Sequence, residues 1–143
     1  MVERIRRSAG FIPELSLVAE SEGAIVGHLL LSKAEVVDGA LSAETIVLAP
    51  IAVRPALQRS GIGKRLMAEG KARCSKLGYT HVFLIGHSTY YPKFGFRPAR
   101  SHGFELKQFE VPDDVFMVCV LMPDAAESIR GELRYPKPFL ELN

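Results

Sequence analysis

Leu15 to Glu20 reads as a strand, Ser21-Glu22-Gly23 breaks it, and Ala24 to Glu35 resumes with Ile, Val and Leu. Two apolar runs joined by a short glycine turn predict a β-hairpin. Val36 to Glu44 contains Asp38-Gly39 and few large apolar residues, so a loop is expected there, ahead of a strand over Ile46 to Val53. Pro50 interrupts that strand. Proline lacks the N–H that a ladder needs, which places Pro50 at a bulge or splayed edge and leaves neighbouring backbone groups available to a ligand.

From Gly61 to Leu77 the period changes. Ile62, Leu66, Gly70, Cys74 and Leu77 fall on one helical stripe, with Lys64, Lys71, Arg73 and Lys76 mostly off it. Gly70 permits close packing, and Gly78 suits a left-handed cap. His81 to Ile85 is then a short apolar strand, completing a β-α-β unit. Tyr90 to Phe94 fits one helical turn starting near Pro92 and ended by Gly95-Phe96. Phe104 to Val111 and Val115 to Met122 are expected to form a second strand pair, and Asp124 to Leu142 a tail that Pro136 and Pro138 keep extended. At the start, Val2 and Ile5 among Glu3, Arg4, Arg6 and Arg7 resemble the last turns of an amphipathic helix, so 1–12 is expected to be the remnant of a helical segment. One mixed α/β sheet is implied, in a single domain over 1–143.

The 143 residues are 48% hydrophobic and 24% charged, which excludes a disordered or fibrous chain. A net charge of +2 gives no reason to expect nucleic acid. Cys74 and Cys119 sit in apolar segments and fit core positions in a reducing cytoplasm. The longest apolar runs fall far short of the ~20 residues of a membrane helix, so a cytoplasmic protein with no membrane partner is expected.

The most informative stretch is Gln58-Arg59-Ser60-Gly61-Ile62-Gly63-Lys64, between a strand and a helix. A helix N-terminus exposes about four unpaired N–H groups and a positive dipole end, and glycines let backbone approach an anion closely. Pyrophosphate is the natural guest, with Arg59, Lys64 and Arg65 supplying charge. The bland alternative is an ordinary glycine-rich turn before a solvated basic helix start. A Rossmann fingerprint fails because Leu66 stands where a small residue is needed, and a Walker loop fails at Gln58 and Arg65. Gly86-His87-Ser88-Thr89-Tyr90 partly matches a hydrolase nucleophile elbow, but Tyr90 replaces the required glycine and only His102 follows as a base.

Gln58-x-x-Gly61-x-Gly63 after an interrupted strand, followed by a helix, a strand and Tyr91-Pro-Lys-Phe-Gly95-Phe96, resembles the GNAT acetyltransferase superfamily. Gly86-His87-Ser88, the paired tyrosines, Phe116-Met117-Val118 and Gly131-Glu132-Leu133-Arg134-Tyr135-Pro136 are similar to its YhbS-like branch of N-acetyltransferases. The resemblance implies a V-shaped, mostly antiparallel mixed sheet flanked by helices, with acetyl-CoA in the opening between parting strands. By position it implies that Ile51, Ala52 and Val53 bond the pantetheine arm through their backbone. Gln58, Arg59, Ser60, Gly61, Ile62, Gly63 and Lys64 would hold the pyrophosphate, while Ser88 and Phe94 add cofactor contacts. Tyr91 falls where the family has the tyrosine that protonates the departing CoA thiolate, a task open to a phenol. The competing reading is that Tyr90 and Tyr91 only pack aromatic surface.

The resemblance further implies direct attack by a primary amine in a ternary complex, with the acceptor unspecified. A general base is not evident: Glu44, His28, His87 and His102 are the candidates, and a lone histidine is more often structural. No metal-ligand spacing occurs among the histidines and cysteines. Relative to the family the usual N-terminal strand and helix are expected to be lacking, which removes part of the acceptor wall and leaves a face for a homodimer. The same features leave open a non-catalytic CoA-binding regulatory or interaction module.

Overall fold

The computed structural model describes residues 11–58 and 61–140. Phe11–Ser21 (β1) and Ala24–Asp38 (β2) form the expected antiparallel hairpin, turned at Glu22 and Gly23. Phe11 and Ile12 are strand rather than helical remnant, and residues 1–10 lie outside the described residues. The loop expected over Val36 to Glu44 is instead a second hairpin. β2 runs on to Asp38, Gly39 turns the chain at φ +62, and Leu41–Val53 (β3) pairs back from Leu41 opposite Asp38. Its tip residues are exposed, which is why small and polar side chains hid the strand signal.

β3 feeds Ile62–Lys76 (α1), and His81–Ile85 (β4) returns parallel to β3, so the β-α-β unit is present. α1 ends in a Schellman motif: the Gly78 N–H donates to the Ser75 carbonyl and the Tyr79 N–H to the Cys74 carbonyl, both at 3.0 Å, with Gly78 at φ +93. After β4 come a 3-10 turn over Tyr91–Phe94 and the strands Arg97–Pro98 (β5), Phe104–Leu106 (β6), Phe116–Val120 (β7) and Gly131–Arg134 (β8). β6 does not pair with β7 as expected: β7 lies between β4 and β5, and β6 runs parallel to β8. Nor is the C-terminal segment a tail. β8 is antiparallel to the second half of β2, and a short helix, Lys137–Leu140 (α2), follows it. Burial of Leu133, Tyr135 and Phe139 with Phe104 and Leu106 holds that segment on the sheet.

The described strands form one eight-stranded sheet in the order β5-β7-β4-β3-β2-β8-β6, with β1 beside β8 on the same side of β2. Side chains alternate between two cores. Leu29, Leu31, Leu48, Val82, Leu84 and Met117 face α1, where Leu66, Met67 and Cys74 are buried. Leu30, Val47, Phe83, Phe116 and Val118 face the opposite layer with Phe104 and Tyr135. Covering both faces explains why β4 and β7 are continuously apolar.

The sheet opens in its middle. β3 and β4 are in register only at Ile46 opposite Val82 and Val47 opposite Phe83, after which β3 continues to Val53 paired with β2 alone. The register shift between Leu29–Ile51 and Leu31–Leu48 sets Ala49 and Pro50 together opposite Leu30, a bulge where the proline interruption predicted one.

Candidate active site

Beyond the bulge, the edge of β3 that faces β4 has no strand partner among the described residues, so the main chain of Ile51, Ala52 and Val53 borders open space. The segment that follows is folded back on itself. The Arg54 N–H donates to the Val26 carbonyl at 2.8 Å, Pro55–Leu57 form a 3-10 turn, and the Gln58 side-chain amide donates to the Val53 carbonyl at 3.3 Å. Gly61, at φ +92, then begins α1 with no side-chain cap, leaving the first-turn amides without a capping oxygen from their own helix start. There is no acidic residue in that turn, so the positive end of the helix dipole is not offset.

Ile51, Ala52, Val53, Gln58, Gly63 and Tyr91 line one cleft of about 710 Å³, together with His87, Thr89, Tyr90 and Lys93. Seven residues that the sequence singles out, the candidate base His87 included, thus meet at one place. Gly61 and Lys64 lie at the same helix start but outside the lining, and Lys64 is exposed. Ile62 turns its side chain the other way, toward Gly27 and a second cleft of about 520 Å³ between β1 and α1. Arg59 and Ser60 lie outside the described residues. Ser88 is half-buried and does not line the cleft, and the Phe94 ring packs beneath it, edge-on to Tyr90 with centroids 5.2 Å apart.

Tyr91 is fixed by its surroundings. Its N–H points to the His87 carbonyl at 3.5 Å, its ring lies so close to Gly86 that a β-carbon there would collide, and it meets Tyr90 edge-to-face at 5.0 Å and Phe96 at 5.9 Å. Burial, and secondarily the neighbouring Tyr90 hydroxyl, raise the Tyr91 pKa above the ordinary 10.0, so the phenol stays protonated and able to donate. Arg97 holds the turn's exit, donating to the Phe96 carbonyl at 2.8 Å and the Pro92 carbonyl at 3.2 Å. Tyr90, to which the sequence assigns no role beyond aromatic packing, stands inside the cleft with the Lys93 ammonium 5.4 Å from its ring centroid.

The candidate bases separate. His87 lines the cleft, and His28 is in register with Ala52 on its wall. Glu44 is at the other end of β3, accepting a hydrogen bond from the Tyr79 hydroxyl at 3.3 Å with Lys33 Nζ 3.9 Å away. His102 is exposed in the 3-10 turn Arg100–His102 and does not reach the cleft. Both cysteines are buried and outside any disulfide, and burial pushes the Cys74 thiol up to about 12, which suits core positions rather than thiolate chemistry.

A bulged strand, a glycine-led helix and a second parallel strand parting from the first match the arrangement implied by the sequence motifs, and the acetyltransferase (GNAT) family pattern covers residues 3–96. The chain belongs to that family and is an acyltransferase. It is 37% identical over 129 residues to the uncharacterized N-acetyltransferase YjhQ of Escherichia coli K12, a match spanning 88% of this chain and 71% of that one. Its structure is similar to that of Escherichia coli YhbS in complex with CoA, with a TM-score of 0.88 and 25% identity over 99% of this chain and 77% of that one. It is also similar to a GNAT family acetyltransferase from Brucella melitensis in complex with acetyl-CoA, with a TM-score of 0.73 and 29% identity over 96% of this chain and 75% of that one.

Proposed function

We propose that the chain transfers an acetyl group from acetyl-CoA to a primary amine by direct attack in a ternary complex. The observation that carries this reading is the β3 edge at Ile51–Val53, unpaired with any described strand and lining one cleft with Tyr91, with the uncapped start of α1 at Gly61 and Gly63 beside it. The pantetheine amides would pair with that edge as an added strand, and the pyrophosphate would take the first-turn amides of α1, helped by Lys64. The complexes of the two similar structures with CoA and acetyl-CoA support the donor's identity.

In the reaction the amine nitrogen attacks the thioester carbonyl carbon, the new C–N bond forms and the C–S bond breaks. Tyr91 gives its proton to the departing thiolate sulfur, and the His87 imidazole on the cleft wall accepts the proton shed by the attacking nitrogen. Both cysteines are free and buried, in keeping with a cytoplasmic location. The β1–β2 hairpin, where Val18 and Ile25 are exposed, is the surface we assign to a homodimer.

Calorimetry with acetyl-CoA, paired with free-thiol release on a panel of amines, tests the reading. Binding with amine-dependent release is expected. Binding without release from any amine would favour a non-catalytic CoA-binding module, and no binding would remove the cleft assignment altogether.

A further inference from the structure

Lys71, midway along α1, reaches out of its helix and donates from Nζ to the carbonyl of Phe94 at 2.6 Å. That carbonyl is the last of the 3-10 turn Tyr91–Phe94, and the chain leaves the turn through Gly95 in the left-handed region at φ +91. The Cys119 thiol approaches the same carbonyl from β7 at 3.9 Å, and a β-carbon on Gly95 would come within 3.6 Å of Lys71 Nζ and 3.5 Å of Cys119 Sγ. The ammonium is therefore enclosed by the turn, β7 and its own helix. A half-buried ammonium is costly unless it is bonded, so this contact is held firmly once formed.

The contact joins two elements that carry different halves of the proposed reaction. Gly63 opens α1 on the cofactor side of the cleft, and Tyr91 opens the turn on the leaving-group side. Lys71 lies eight residues beyond Gly63, about 12 Å along a helix rising 1.5 Å per residue. One rigid rod thus touches the cleft at one end and grips the Tyr91 turn further along. We infer that Lys71 is a positioning residue, which sets the Tyr91 hydroxyl at a fixed height relative to the cofactor held at the start of α1. The inference rests on the proton-donor reading of Tyr91. Lys71 itself does not line the cleft and touches neither substrate.

The test compares the wild type with Lys71→Met, Lys71→Arg, Tyr91→Phe and the Lys71→Met/Tyr91→Phe double variant, measuring thiol release, acetyl-CoA affinity and amide exchange over residues 91–96. Lys71→Met keeps the aliphatic stem and removes the donor. Its kcat is expected to fall about ten- to a hundred-fold, the scale of a misplaced catalytic group, with KM for acetyl-CoA unchanged. Lys71→Arg should recover part of the rate, and in the Tyr91→Phe background the Lys71→Met change should cost little more. A wild-type kcat in Lys71→Met, or an undiminished loss in the Tyr91→Phe background, overturns the proposal. If the wild type releases no thiol, or Tyr91→Phe is fully active, the donor reading has failed, and exchange decides what remains. Faster exchange over 91–96 in Lys71→Met, with β4 unchanged, sustains the positioning role, and unchanged exchange over 91–96 ends it.

Discussion

The Tyr90 hydroxyl stands 2.7 Å from the point that a β-carbon on Gly63 would occupy. The second glycine of the Gln58-x-x-Gly61-x-Gly63 motif therefore leaves room for a side chain from the turn after β4, in addition to any room it leaves for an anion. Tyr90 is held there by the edge of Phe94 and by Lys93 over its ring, so the hydroxyl lies against the first turn of α1.

Gly63→Ala tests that relationship. The far end of a tyrosine can swing, so the substitution should displace Tyr90 into the cleft rather than unfold the helix, and alanine favours an α-helix over glycine by about 1 kcal/mol. Acetyl-CoA affinity is expected to weaken about ten-fold with an unchanged or slightly raised Tm. Calorimetry giving wild-type affinity would mean that Tyr90 and the cofactor do not share this space.

Tyr91→Phe keeps the ring that packs on Gly86 and Phe96 and removes only the hydroxyl. Loss of a general acid should lower kcat by about a hundred-fold with little change in acetyl-CoA affinity. Because burial raises the phenol's pKa, the donor form persists above the ordinary value of 10.0, and a fall in kcat caused by its ionisation should begin only beyond that pH. A basic limb below it, still present in Tyr91→Phe, would belong to another group.

The sequence signals that succeeded were local. Pro50 marked the bulge because a missing N–H has one structural consequence, Gly78 marked the end of α1, and continuous burial made His81 to Ile85 coincide with β4. The signals that failed depended on remote partners. Phe104 to Leu106 has strand character but nothing in its neighbourhood says that it lies beside β8 rather than β7, and β8 is strand because the second half of β2 offers it an edge. Within the cleft, Gly63 stood out by motif spacing and Tyr91 by the family resemblance, whereas Tyr90, Thr89 and Lys93 join it only because the turn folds over the start of α1.

Gly70 is a close approach between α1 and the sheet. A β-carbon there would fall 2.6 Å from Leu29 Cδ2 and 2.9 Å from Leu31 Cδ1. Those leucines are 0% and 2% exposed, so their side chains have nowhere to turn. Overpacking typically costs about 1–3 kcal/mol, against a gain of about 1 kcal/mol in helix propensity for Gly70→Ala. Thermal unfolding should show a net loss of stability, in contrast to Gly63→Ala. A rise in Tm would mean that the helix shifts on the sheet at little cost.

Alkaline pH should destabilise the fold through its buried acids. Burial pushes the Cys74 thiol up to about 12 from an ordinary 9.0, and burial raises the Tyr135 phenol as well. A folded pKa above the unfolded one means that the unfolded chain releases its proton first, so the contribution is intact below pH 9.0 and is lost as pH rises toward about 12. Cys74 is 0% exposed, and its ionisation alone can contribute a slope of about 1.4 kcal/mol per pH unit in that window. Denaturant unfolding between pH 8 and 11 should therefore show falling stability for the wild type and a shallower fall for Cys74→Ala, whatever the cavity costs at neutral pH. Tyr135→Phe should flatten the curve further above pH 10, because the ring stays and the ionisable hydroxyl goes. Parallel curves for all three proteins would mean that the buried thiol and phenol reach water before the chain unfolds.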